Sequence, residues 1–305
     1  MARNITYPDG SVYFGSVNED GLPHGQHGTY IWEDGRRYVG TWYGGKKHGV
    51  GRFYDTDGNE TYGFWFEDDL LHEFKKQKND NGIPVNNNRI TALLIGNNDY
   101  PDKPLRNCVN DARAIGDKLR SIGIDVVVKD NLSMSGIIDE LNKLSQKDSI
   151  YNHVFFFFSG HGVTNQGRHY LQMIPSGEEK TLLSVEDIDE LLCRTNFQNI
   201  ILVSDACCSI AGCEGDDSPY NTVGRTLMAF SSTLGQMSWD GIPEGHSPYA
   251  YGLLEYIDQP MEIVQMFREA HKFASIYAYK TSDRVQLPTL QVSALFPMDF
   301  HLLSQ

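Results

Sequence analysis

The chain has 305 residues, 40% hydrophobic and 22% charged, enough for about two domains with a sizeable core. Its 26 lysines and arginines face 40 aspartates and glutamates, and the net charge of -14 argues against general binding to nucleic acid or to anionic lipid. No apolar run reaches the ~18 residues of a membrane span, and the opening MARNITYPDG lacks the apolar core of a signal peptide. A cytoplasmic chain is therefore expected, in which the five cysteines (Cys108, Cys193, Cys207, Cys208 and Cys213) stay reduced.

The 29 glycines and 16 tyrosines are unevenly spread, and the first 75 residues repeat themselves. Asp9-Gly10, Asp34-Gly35 and Asp57-Gly58 recur, each expected to form a tight two-residue hairpin turn because such turns need positive φ. Tyr13-x-Gly15 and Tyr38-x-Gly40 follow the first two, and Tyr62-Gly63 reads as a third copy that has lost its intervening residue. His24-Gly25 and His48-Gly49 recur as well, as turn residues rather than metal ligands, having no Cys or Asp partners nearby. The flanking segments ITYP, SVYFG, TYIW, RRYVGTW, GRFY and TYGFWF carry the aromatic and β-branched residues of strands. A period of 20 to 50 residues indicates stacked supersecondary units.

These residues resemble the MORN repeat. The best copy runs from Tyr38-Val-Gly-Thr-Trp-Tyr43 into Gly45-Lys-Lys-His-Gly-Val-Gly51, and the resemblance covers about residues 5 to 70. It implies a small all-β hairpin array serving as a scaffold, a dimerisation surface or a lipid contact. Residues 1 to 75 carry 7 basic and 12 acidic side chains, so a protein partner suits this arm better than a bilayer.

Residues 76 to 89 are polar, rich in Asn, Lys, Gly and Pro, and read as a linker between a 1–75 domain and a 90–305 domain. From residue 90 the texture is α/β. Continuous apolar strands are expected at 90–96, 124–130, 153–160, 199–207 and 226–231. Helices are expected at 111–123, 134–144, 184–193, 250–257 and 262–274, with Ser247-Pro248 opening the fourth. Strands apolar throughout and alternating with helices make a mainly parallel sheet covered on both faces.

In such sheets function gathers at the carboxyl ends of the strands. One strand ends at Ser159-Gly160-His161-Gly162, another at Asp205-Ala206-Cys207-Cys208-Ser209. A histidine and a cysteine on neighbouring strand tips are what nucleophilic catalysis by a thiolate needs. Alternation along a strand puts Asp205 and Cys207 on one side and Cys208 on the other, which favours Cys207 as the nucleophile.

Phe158-Ser-Gly-His-Gly162 and Asp205-Ala-Cys-Cys-Ser209, together with ALLIGNNDYP (92–101) and LRNCVNDA (105–112), resemble the caspase-like peptidases, over essentially all of 90–300. The resemblance implies a caspase-like fold and cysteine endopeptidase chemistry. His161 would be acid and base and Cys207 the nucleophile, with the N–H groups of Gly162 and Cys207 as oxyanion hole. Gln-Ala-Cys-x-Gly of animal caspases is absent, and Asp205-Ala206-Cys207 is metacaspase-like, although Cys208-Ser209-Ile210 replaces the usual His-Ser-Gly. By that resemblance Cys108, Asp111, Ser159 and Asp205 would line a first specificity pocket for Arg or Lys. Asp111 also suits the first turn of a helix, and Asp205 also suits support of its loop. Cys193 reads as packing, and Ser238-Trp239 as either a wall of the substrate cleft or a core or turn residue.

No cofactor is called for. Calcium activation would rest on Glu214, Asp216 and Asp217 in the 212–225 loop, which also read as a solvated acidic loop. Activation by cleavage at Arg225 or within 75–89 is a further expectation. Two functions follow: a peptidase for substrates with a basic residue at the cleaved position, its repeats recruiting a partner, substrate or regulator; or a catalytically silent caspase-like scaffold acting through its repeats.

Overall fold

Three loops turn the N-terminal chain back on itself with one geometry. In the computed structural model, which describes residues 2–73, 89–165, 168–177, 181–207, 224–233, 238–242 and 245–303, Tyr7 N–H donates to the Ser11 carbonyl, Trp32 to Arg36 and Asp55 to Asn59. Gly10, Gly35 and Gly58 donate back to Tyr7, Trp32 and Asp55, and these glycines have φ of 85°, 90° and 82°. The turns are therefore three-residue loops closed by a left-handed glycine, not the expected two-residue kind, because only the glycine has positive φ. Asp9, Asp34 and Asp55 fix each loop by accepting a backbone N–H two residues on.

The chain divides into two compact units, Met1–Gly82 and Ile83–Gln305. The first is a seven-stranded antiparallel sheet in sequence order: β1 (Ala2–Thr6), β2 (Val12–Ser16), β3 (Gly25–Ile31), β4 (Arg37–Tyr43), β5 (Lys46–Tyr54), β6 (Glu60–Phe66) and β7 (Asp69–Glu73). Gly28, Gly40, Gly51 and Gly63 pair across four neighbouring strands. Bare backbone there lets rings lie flat: a side chain on Gly28 or Gly51 would collide with Trp42 or Tyr38. Trp42 and Trp65 each donate to the carbonyl fourteen residues back, Gly28 and Gly51, at 3.1 Å. Tyr13, Tyr38, Trp42 and Trp65 are the unit's core. The third copy is thus aligned by Gly63 and Trp65, and it is Thr61 that stands opposite Phe53 in the tyrosine's place, rather than a lost residue beside Tyr62.

In the second unit β8 (Ile90–Gly96), α1 (Cys108–Ser121), β9 (Asp125–Asp130), α2 (Met134–Ser145) and β10 (His153–Gly160) are followed by three short strands, β11 (Gly162–Asn165), β12 (Arg168–Gln172) and β13 (Leu182–Ser184). Then come α3 (Val185–Cys193), β14 (Asn199–Ala206), β15 (Thr226–Phe230), α4 (Pro248–Tyr256), α5 (Ile263–Ser282) and β16 (Thr289–Val292). The main sheet has the order β16-β15-β14-β10-β8-β9, with β16 alone antiparallel. Strands β11–β13 make a separate antiparallel sheet. This is a caspase-like fold, a mostly parallel sheet flanked by helices, preceded by an antiparallel β region. One core of Ile, Leu, Phe and Ala joins β8, β10, β14 and β15 to α1, α4 and α5.

Two helices differ from expectation. Helix α1 starts three residues early, at Cys108: Asn98 Oδ1 accepts the Val109 N–H of its first turn at 3.2 Å, and the Asp240 carboxylate fixes the approach by accepting the N–H groups of Arg106 and Asn107 at 2.8 and 3.2 Å. Helix α5 runs to Ser282 rather than stopping near 274, its last turns packing Ala278 inside and Tyr277 on Tyr251 of α4.

Candidate active site

Parallel pairing of β10 with β14 sets Ser159 opposite Asp205 and Gly160 opposite Ala206. The next residue on each strand is His161 and Cys207, so the register delivers the two expected groups side by side at the carboxyl edge. Both line a cavity of about 230 Å³, together with Cys108, Ser159, Asp205, Ser238, Trp239, Asp240, Ser247 and Arg284.

His161 is held at three points. Its backbone N–H donates to Tyr100 Oη at 3.0 Å, its ring lies 4.5 Å from the Tyr100 ring, and Nε2 is 2.7 Å from the Lys103 carbonyl. A carbonyl oxygen only accepts, so Nε2 carries the proton and neutral His161 keeps a bare Nδ1. Tyr100 in turn donates to the Gln172 carbonyl at 2.8 Å. A third group orienting the histidine is thus present, as a main-chain carbonyl and a tyrosine, neither of which the motif around His161 announces.

The Cys207 thiol points at the Ser238 carbonyl, 3.4 Å away. Burial pushes its pKa up against the lowering contact with Ser238, and the charges of Asp205 and Asp240 add to the rise. Gly162 faces it across the strand tips: a β-carbon there would lie 2.8 Å from Ala206 Cβ and 2.8 Å from the Cys207 carbonyl oxygen. Cys208 lies outside the described residues, as does the 212–225 loop except for Gly224 and the exposed Arg225.

Of the four residues expected in the specificity pocket, Cys108, Ser159 and Asp205 line the cavity. Asp111 lies behind them, fully buried, bonded to His246 Nδ1 at 2.6 Å and accepting the Ser247 N–H at 3.3 Å. Asp205 accepts from Ser247 Oγ on one oxygen and from Ser238 Oγ, at 3.1 Å, on the other. Burial, then the neighbouring Asp111, pushes the Asp205 carboxyl up to about 7. Burial also lifts Asp111, to about 6, against the lowering contact with His246. The Cys108 thiol is raised by burial and sits 3.7 Å from Asp240.

Asp240 is an acidic wall that the motifs did not point to. Trp239 lines the cavity, with the Arg284 guanidinium 5.7 Å over its ring. Cys193, half-buried, is bonded to Asp189 and to Thr226 at the end of β15 remote from this edge. Among the described residues no group of three His, Cys, Asp or Glu side chains could hold a metal ion, and no helix is long and apolar enough to cross a membrane.

The sequence matches the caspase domain family, peptidase C14, over residues 89–298, and the chain belongs to that family. The match covers nearly all of the second unit, Ile83–Gln305. An inactive protein tyrosine kinase, pTKL, of Plasmodium berghei (strain Anka) is 34% identical over 71 residues, which are 23% of this chain and 5% of that protein. The chain thus spans about a twentieth of the length of the curated relative it matches.

Proposed function

We propose that the protein is a metacaspase-type cysteine endopeptidase that cleaves after Arg or Lys with His161 and Cys207 as its dyad. The observation that carries this reading is the placement of both groups on adjacent strand tips, beside a cavity walled by Asp205 and Asp240. His161 Nδ1 takes the Cys207 proton as the sulfur attacks the scissile carbonyl carbon. The negative charge that develops on the carbonyl oxygen is met by the N–H groups of Gly162 and Cys207. Collapse of that intermediate breaks the C–N bond, and His161 returns the proton to the leaving amine. Water then cleaves the thioester, with His161 as base, and regenerates the thiol. The Lys103 carbonyl would hold the imidazolium in place throughout, since it accepts the Nε2 proton in both states.

Selection of a basic side chain rests on Asp205 and Asp240, which offer charge-assisted contacts to a guanidinium or ammonium, with Cys108 and Ser159 beside them and the Arg284 guanidinium also on the wall. The N-terminal unit is read as MORN-type repeats that recruit a protein partner, substrate or regulator. The three loops of one geometry, the row of paired glycines and the exposed Phe14, Ile31 and Val39 support that reading.

Fluorogenic peptides ending in Arg, Lys, Leu or Asp test it. The wild type is expected to cleave the Arg and Lys peptides only, and Cys207→Ala to lose at least about a thousandfold. Cleavage after Asp or Leu alone would overturn the pocket assignment. No cleavage of any peptide would favour the silent scaffold.

A further inference from the structure

Behind the cavity lies a buried chain of groups that the dyad does not use. His246 Nδ1 meets Asp111 Oδ1, the Ser247 N–H donates to Asp111 Oδ2, and the Ser247 hydroxyl donates to Asp205 Oδ2. Asp205 faces the cavity. Ser247 Oγ also accepts the Ala250 N–H at 2.9 Å as the cap of α4, so its single proton is committed to Asp205. Two carboxylates, 0% and 5% exposed, therefore share one serine, and only one of them has a basic group against it.

We propose that His246, acting through Asp111 and Ser247, sets whether Asp205 is ionised, and so whether the cavity accepts a basic side chain. His246 is a positioning residue in this scheme, not a catalytic one. The inference rests on the reading of this cavity as the specificity pocket. Two buried like charges this close disfavour each other, and a cation on one of them relieves that cost. Protonated His246 forms an ion pair with Asp111, which leaves Asp205 free to lose its own proton to solvent and receive a guanidinium instead. Burial and then the Asp111 charge push the Asp205 carboxyl up, in line with that coupling.

The cavity that Asp205 faces is also lined by His161 and by Arg284, whose guanidinium lies 5.7 Å over the Trp239 ring. From α1, Cys108 is a protonated thiol and Asn110 Nδ2 touches His246 Nδ1 at 3.3 Å. From the 238–242 segment, Asp240 adds negative charge near Asp111, and Ser238 bonds Asp205. From β14 and the segment after β15 come Cys207 and Ser231. From α4, the buried Tyr249 phenol lies near Asp205 and the Tyr251 ring meets the His246 ring edge-on at 5.1 Å. Among the described residues, His246 is the only basic group bonded to either carboxylate.

The test is the ratio of kcat/KM for an arginyl peptide to that for the same peptide with citrulline, its neutral isostere, between pH 5 and 8.5. Titration of the dyad affects both substrates and divides out. Asp205 must be ionised to favour arginine, so the ratio rises as pH rises, by up to tenfold per unit below the midpoint. His246→Gln keeps a donor to Asp111 but no charge, and is expected to move the midpoint up by about a pH unit. Asp111→Asn removes the neighbouring negative charge, and is expected to move it down. A role in packing alone would leave both midpoints in place or move them the same way, and either result overturns the proposal, as does a ratio flat with pH in the wild type. Binding of acetyl-arginine amide against acetyl-citrulline amide to Cys207→Ala, by calorimetry over the same range, reads the same displacement without turnover. The same opposed shifts in binding support the proposal even if no peptide is cut and the peptidase reading falls. Equal binding of the two amides at every pH overturns it.

Discussion

A β-carbon on Gly162 would stand 2.8 Å from Ala206 Cβ, 2.8 Å from the Cys207 carbonyl oxygen and 3.1 Å from that of Tyr170. Two of these are backbone atoms that cannot turn away, so Gly162→Ala must push β11 off the tip of β14 and carry the Gly162 N–H with it. The expected result is a fall in kcat of about 10²–10³, the scale of losing one oxyanion donor, with KM moved less and stability lowered by about 1–3 kcal/mol. Steady-state kinetics and denaturant unfolding read the two effects separately. At this scale His161 and Cys207 could be singled out because glycines flank the histidine at one strand end and an Asp-Ala-Cys run closes another. The groups around it were not. The Lys103 carbonyl has no side-chain signature, Asp240 reaches the site from a loop after β15, and His246 stands directly before a helix cap, where polar residues are ordinary. Asp111 was legible as a buried or capping acid, but its distance from the cavity depends on how Ser247 intervenes.

Helix α3 depends on more than its own sequence. Ser184 caps it by accepting the Asp187 N–H at 3.2 Å, donates to Glu186 at 2.7 Å and accepts from Arg168 of β12 at 2.7 Å. Arg168 is also paired with Asp187 at 2.9 Å. Ser133 caps α2 by accepting one N–H, that of Gly136, and otherwise touches only Ser135. Ser133→Ala is therefore expected to cost about 1 kcal/mol. Ser184→Ala, which also takes one hydrogen bond from each of the buried Arg168 and Glu186, is expected to cost at least about twice that. Urea unfolding of the two variants checks the order. The same cluster explains why β11–β13 were not foreseen: Arg168 and His169 hide a buried strand behind polar letters, and their partners, Glu186, Asp187 and Ser204, are supplied by α3 and β14. The long apolar strands needed no such partners and were legible directly. β16 was not, being four residues at a sheet edge behind Pro288.

Across the whole molecule, 305 residues and a charge of -14 excluded partners and left the question of what the acids do. The two textures of the sequence correspond to two units with separate cores, one aromatic on glycine and one aliphatic under a parallel sheet. Three of the carboxylates, Asp111, Asp205 and Asp240, are drawn into one corner of the second unit, around the candidate thiol. The central claim is that Cys207 is the nucleophile beside a pocket for a basic side chain. Its most direct test is covalent labelling of the full chain with an arginyl peptide carrying a cysteine-reactive ketone, mapped by mass spectrometry. The account predicts one adduct, on Cys207, suppressed by excess arginyl substrate and not formed by the aspartyl analogue. An adduct on Cys108, Cys193, Cys208 or Cys213 instead, or equal labelling by the aspartyl probe, would contradict it.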